Sequence, residues 1–146
     1  MEFSRIKLQM VKEQNFQYNN KEINTPIDVV KFINEIEELN KATEENVLQI
    51  CLNTKNEIIG YMLVAKGGIA SCEVDLKTIF KNVLLCNGNK FILVHNHPSE
   101  NLTPSRFDIE LTKRIDSASN IMQIQFLDHI IISGNDYVSI KKIIKN

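Results

Sequence analysis

At 146 residues with 43% apolar content, the chain has the length of one ordinary domain and enough apolar side chain to build a core. Seventeen basic against eighteen acidic residues leave a net charge of −1, and the basic clusters Lys113-Arg114 and Lys141-Lys142 with Lys145 read as solvated surface, so binding nucleic acid through many phosphate contacts is not supported. No apolar run has the length of a signal-peptide core or a membrane span, and the expected location is a reducing cytoplasm with no membrane partner.

Residues 4–11 alternate through Ile6, Leu8 and Met10, which predicts an edge strand, followed by an Asn-rich loop to Asn20. Thr25-Pro26 then opens a helix whose apolar positions Val29, Val30, Ile33, Ile36 and Leu39 follow helical spacing. Strands are predicted over 46–52 and 57–65, joined as a hairpin by Asn53-Thr54-Lys55-Asn56. Gly67-Gly68 marks a turn, and a helix over 75–86 turns Leu76, Ile79, Phe80, Val83 and Leu84 inward before Asn87-Gly88-Asn89. A strand over 90–95, a helix from Pro104 to about 119 and strands near 123–133 and 136–140 complete the pattern of one α/β (α+β) domain, a mixed sheet flanked by helices. Cys51, Cys72 and Cys86 are odd in number and lack a CxxC pair, which argues against a disulfide framework or a thiolate metal site; Cys51 and Cys86 read as small buried hydrophobes.

Chemistry concentrates in His95-Asn96-His97-Pro98-Ser99 and Pro104-Ser105-Arg106-Phe107-Asp108. The apolar run Phe91-Ile92-Leu93-Val94 feeds into the first of these as a buried strand. In an extended chain, side chains at i and i+2 share a face, so His95 and His97 project together while Asn96 points away. Pro98 ends the ladder because it has no N–H to donate. Downstream, Thr103-Pro104 has the form of an N-cap with proline at the first helical position, and Ser105 and Asp108, three apart, share a face near that helix start. Two imidazoles at a strand end would thus meet a hydroxyl and a carboxylate at a helix start, a plausible cradle for a divalent metal. Taken singly, the histidines are a hydrogen-bonded strand pair, Ser105 a helix-start residue and Asp108 a charge favoured by the helix dipole. The letters H-N-H also name a nuclease motif, but that motif draws its residues from separated elements. A non-haem iron site with two histidines and a carboxylate has the same ligand types and stays open.

The segment HNHPSENLTPSRFDIELT, together with LDHIIIS at 127–133, resembles the JAB/MPN metalloenzyme domain with its JAMM signature, and within it the RadC-like branch. The resemblance covers roughly residues 25–140 and rests on the spacing H-x-H-P-x(5)-P-S-x-x-D. It implies a cytidine-deaminase-like, JAB/MPN-type α-β sandwich over 25–146, with residues 1–24 as an N-terminal extension. It further implies a zinc ion held by His95, His97 and Asp108 with water in the fourth position, Ser105 stabilising an oxyanion, and an upstream glutamate as general base, best matched by Glu45. Three protein ligands and one open position mark catalytic rather than structural zinc, and such a site suits hydrolysis of a peptide, isopeptide or small amide. Glu44 and Glu57 flank the same hairpin, and each of the three glutamates also reads as a solvated charge. The RadC-like branch usually has glycine after His-Pro-Ser, where this chain has Glu100, and commonly carries an N-terminal helical module for which the stretch before residue 25 is too short. His129, in an apolar strand, reads as a structural histidine bonded inside the sheet, with Asp128 as a candidate outer partner. The alternatives to a zinc hydrolase are a RadC-type protein associated with DNA repair and a non-catalytic protein-binding module.

Overall fold

Alternating side chains in the strands divide the molecule into two apolar layers on opposite faces of one sheet. In the computed structural model, which describes residues 1–67 and 74–145, the order is α1 (Pro26–Ile36), a 3₁₀ turn (Leu39–Lys41), β1 (Asn46–Leu52), β2 (Ile58–Lys66), α2 (Leu76–Leu85), β3 (Lys90–Asn96), α3 (Arg106–Met122), β4 (Gln125–Ser133), β5 (Asp136–Ser139) and α4 (Ile140–Lys145). The sheet runs β2-β1-β3-β4-β5. Its pairs are antiparallel except β3 with β4, which are parallel and joined through α3 as a βαβ unit.

Even-numbered positions of β1 and β3 (Leu48, Ile50, Ile92, Val94) meet Val30 and Ile33 of α1 on one face. Odd-numbered positions (Cys51, Phe91, Leu93) meet Ile79 and Val83 of α2 and Ile115 of α3 on the other. By this parity, His95 and His97 lie on the α3 side. A register shift between Phe91 and Ile92 aligns Leu93 with His129, and so brings His129 to the same side. The first face is a plain apolar layer, while the second carries the chemistry.

Cys86 is half-buried rather than buried, and Leu39 lies in the 3₁₀ turn past the end of α1 rather than on that helix. Five further expectations are corrected by the fold. Residues 4–11 form no strand, and Ile6 and Leu8 stand 82% and 75% exposed. Their alternation has no partner edge: the edge strand β2 is met instead by the bridge Glu22↔Glu57, and the N-terminal segment makes its contacts through Phe16 on Tyr61 and Tyr18 on Phe32. Leu84 is 54% exposed rather than inward, because α2 packs through Ile79, Phe80 and Val83. The stretch 136–140 gives only a four-residue strand, and the chain turns at Ile140 into α4, where the buried Ile140 anchors the helix. Lys141 is not solvated surface: its ammonium donates to Asp116 and to the Phe126 carbonyl and lies over the Phe126 ring, tying α4 to α3 and β4. The start of α3 is the fifth. Its cap is Ser105, not Thr103, so Pro104 precedes the helix. Gly67 adopts a positive φ of 94°, as the turn requires; Gly68 and Cys72 lie outside the described residues.

Candidate metal centre

His95 is the penultimate residue of β3, buried and flanked by Val47 of β1 and Ile131 of β4. His97 follows just past the strand, its amide still donating to Ile132 O at 2.9 Å. The shifted cap of α3 decides where the third member stands. With Ser105 as N-cap, Asp108 becomes the N3 residue of a capping box: Ser105 N donates to Asp108 Oδ2 at 2.7 Å, and Asp108 N donates to Ser105 Oγ at 3.1 Å. The carboxylate is thereby fixed and points at the end of β3, with Oδ1 3.5 Å from His95 Nε2 and Oδ2 3.7 Å from His97 Nε2. The two Nε2 atoms are 2.9 Å apart. Among the described residues, His95, His97 and Asp108 form the one group that could hold a metal ion.

Their electrostatics follow from this proximity. Burial alone would push the Asp108 carboxyl up, but the His95 and His97 imidazoles, 3.5 and 3.7 Å away, and the Ser105 amide outweigh it and hold Asp108 well below the usual carboxylate range. The same carboxylate raises the pKa of His97 above 6.5; burial opposes this, and the Asn101 carbonyl and the charge of Glu45 add to it. His97 Nδ1 lies 2.6 Å from Asn101 O, a carbonyl that can only accept. The ring therefore carries its proton on Nδ1 and leaves Nε2 with a lone pair facing the site.

Glu45 sits half-buried immediately before β1. The antiparallel β1–β3 register, Val47↔His95, extended by two residues places Glu45 opposite His97 on the α3 side. Asn96, between the histidines, does point away from them and reaches β1's entry instead. Its side-chain amide donates to Glu44 O and its carbonyl accepts from Asn46 N, both at 2.8 Å, so the backbone is gripped on either side of Glu45. The Glu45 carbonyl accepts from Gly67 N at 2.7 Å. The other two glutamates are engaged elsewhere. Glu44 pairs with Lys66 at 3.6 Å on the surface, and Glu57 accepts from Asn53 at the hairpin, the opposite end of the sheet from the histidines. Ser105 is exposed, and since its Oγ accepts the Asp108 amide, its own proton is free to be donated outward.

The chain matches the family model for the RadC-like JAB domain over residues 23–144. It belongs to that family. It is 44% identical over 121 residues to a UPF0758 protein of Finegoldia magna, covering 82% of this chain and 53% of that relative. It is 40% identical over 124 residues to a UPF0758 protein of Clostridium beijerinckii, covering 85% and 53%. A UPF0758 protein of Caldanaerobacter subterraneus is 36% identical over 126 residues, covering 86% and 53%. This RadC-like domain thus spans about half the length of the curated relatives it matches. No described helix is long and apolar enough to cross a membrane.

Two residues of the RadC-like site escaped sequence reasoning in part or altogether. His129 is bonded inside the sheet as expected, but its partner is a candidate ligand: Nε2 lies 2.8 Å from His95 Nδ1. Its Nδ1 lies 2.7 Å from Oγ1 of Thr112, a residue with no sequence signal beyond its place one turn after Asp108. Asp128 does not touch the imidazole; its Oδ1 accepts from the His129 amide at 2.7 Å and from Ser139 Oγ at 2.9 Å. Glu100, where the branch usually has glycine, holds a left-handed backbone with φ 62°.

Proposed function

We propose that this domain is a zinc-dependent hydrolase of an amide bond, in a peptide, an isopeptide or a small amide, with His95, His97 and Asp108 as ligands, Glu45 as general base and Ser105 as oxyanion donor. The observation that carries it is the donor set. His95 Nε2, His97 Nε2 and the Asp108 carboxylate converge from two elements, and Asp108 brings acceptors only; such a cluster is balanced by a cation. Tetrahedral zinc holds its ligands 2.0–2.1 Å away, hence about 3.3 Å from one another; here one ligand atom from each residue lies within 4.8 Å of the others, with the two imidazole Nε2 atoms 2.9 Å apart, so a small adjustment closes the set on an ion. Two neutral imidazoles and one carboxylate suit zinc and leave a net positive charge.

Bound there, zinc supplies Lewis acidity, polarising a carbonyl and making water acidic enough to lose its proton near neutral pH. Glu45, half-buried and in register with His97, holds that proton on its carboxylate and delivers it to the leaving nitrogen. The Ser105 hydroxyl donates to the oxygen that gains charge, from a position fixed by the helix cap. Asp108 and the imidazoles orient the cation without exchanging protons with substrate.

Zinc analysis of protein purified without chelator, then reconstituted, is the test, with turnover of peptide, isopeptide and small-amide panels by wild type and Glu45→Gln. Near-stoichiometric zinc and turnover lost in Glu45→Gln are the expected results. Zinc far below one equivalent after reconstitution would sink the metal assignment, and turnover retained in Glu45→Gln would move the base elsewhere.

A further inference from the structure

The buried face behind His95 holds a chain of hydrogen bonds that ends on the helix carrying Asp108. Thr112 Oγ1 lies 2.7 Å from the Asp108 backbone carbonyl and 2.7 Å from His129 Nδ1. His129 Nε2 lies 2.8 Å from His95 Nδ1. Thr112, His129 and His95 are all buried, so water supplies none of these partners.

The directions of the three bonds follow from their terminus. A backbone carbonyl only accepts, so the Thr112 hydroxyl spends its single proton on Asp108 O. Towards His129 the hydroxyl can then only accept, which requires the proton on His129 Nδ1. The two nitrogens of the fully buried His129 ring face only the Thr112 hydroxyl and His95, with no carboxylate against either to balance a charge, so the ring is neutral and its Nε2 bears a lone pair. Towards His95 that lone pair can only accept, which requires the proton on His95 Nδ1. One hydrogen placed by a helix carbonyl thus determines every proton up to the site, and His95 Nε2 is left as the bare nitrogen beside His97 and Asp108.

We propose that Thr112 and His129 are positioning residues that lock His95 in its Nδ1-protonated tautomer and thereby set the metal affinity of the site. This role rests on the metal reading above, and it goes beyond it in assigning a function to two residues that touch neither metal nor substrate. Without the Thr112 hydroxyl, His129 loses the acceptor for its Nδ1–H. The ring can then shift its proton to Nε2 and donate to His95 Nδ1, which places the His95 proton on Nε2, where a ligand bond would have to form. Removing an outer partner of a metal-bound histidine typically weakens binding 10- to 100-fold.

The test uses the full chain, with Thr112→Val removing the hydroxyl at constant shape and Thr112→Ser restoring it. Zinc dissociation constants from competition with a chromophoric chelator should rise about 10- to 100-fold in Thr112→Val and return to within a few-fold of wild type in Thr112→Ser. Folded Thr112→Val binding zinc as tightly as wild type would overturn the inference. Long-range ¹H–¹⁵N imidazole spectra of metal-free wild type provide a second reading that needs neither variant nor metal. They should show His95 and His129 both protonated on Nδ1, and Nε2 protonation of His95 would refute the lock even if Thr112→Val failed to fold. Absence of zinc binding by wild type with His95 still protonated on Nδ1 would defeat the metal reading alone.

Discussion

The two halves of the candidate site are held in different ways. The candidate ligand half, His95, His97 and Asp108, is fixed by hydrogen bonds on several sides: the capping box, the Asn101 carbonyl and, behind His95, the buried relay through His129 and Thr112. The Glu45 half is a connection at the end of a strand, gripped by one side-chain amide from Asn96 and by Gly67; Glu45 is half-buried, and its carboxylate has no hydrogen bond among the described residues. Ligand atoms gain from being immobile, because a metal site loses affinity when its donors stray by fractions of an ångström. A group that accepts and releases a proton needs room to turn, which suits the base role proposed for Glu45.

Substitutions on each side should separate the halves. The largest effect is expected from Asp108→Ala, which removes a proposed ligand: zinc content after dialysis should fall from near one equivalent to background, an affinity loss well beyond the roughly 10- to 100-fold of an outer-partner change. The lost capping box should add about 1 kcal/mol of destabilisation, read from urea denaturation. Glu45→Gln should do the reverse, keeping zinc and costing about 10²- to 10⁴-fold in kcat. A common loss of metal in both variants would erase the distinction between the halves.

Asn96→Ala tests the grip itself. Releasing the Glu44 carbonyl and the Asn46 amide should cost about 1–3 kcal/mol in unfolding free energy, lower kcat and leave zinc affinity within a few-fold of wild type. Acidity tests the ligand half alone. Because Asp108 raises the pKa of metal-free His97, a proton competes for Nε2 beyond pH 6.5, so zinc affinity should climb with pH through and above that value and flatten once His97 is neutral. Affinity that levels off well below pH 6.5 would contradict the shift. The smallest effect is expected from Glu100→Gly, which relieves a left-handed backbone at the cost of unfolded-state entropy; a gain of no more than about 1 kcal/mol in thermal stability, with zinc affinity unchanged, should follow.

What could be read from the residues beforehand was whatever depends on neighbours in the chain. The i, i+2 histidines, the apolar strand leading into them and the three-residue spacing of Ser105 and Asp108 are local facts, and the structure brings His95, His97 and Asp108 together. The N-cap was misplaced because Thr103-Pro104 has the right form, whereas the capping box with Asp108 favours Ser105. The strand expected over 4–11 failed for a different reason: alternation describes a surface, and only a neighbouring edge turns it into a strand. Thr112 and His129 were the least legible. They are 17 residues apart, and His129 stands 34 from His95, so their bonds exist only once α3 has packed on β3 and β4.

The capping box of α3 carries a consequence for kinetics. Asp108 Oδ2 holds the Ser105 amide at the helix start while the same carboxylate faces both histidines. Fraying of the first turn would swing that carboxylate out of the site, and an ion seated there would in turn restrain the turn from opening. With the proposed ion in place, its release and the opening of this helix end would be one motion, so amide hydrogens over 106–109 should exchange with solvent at a rate that slows in step with the lifetime of the bound ion.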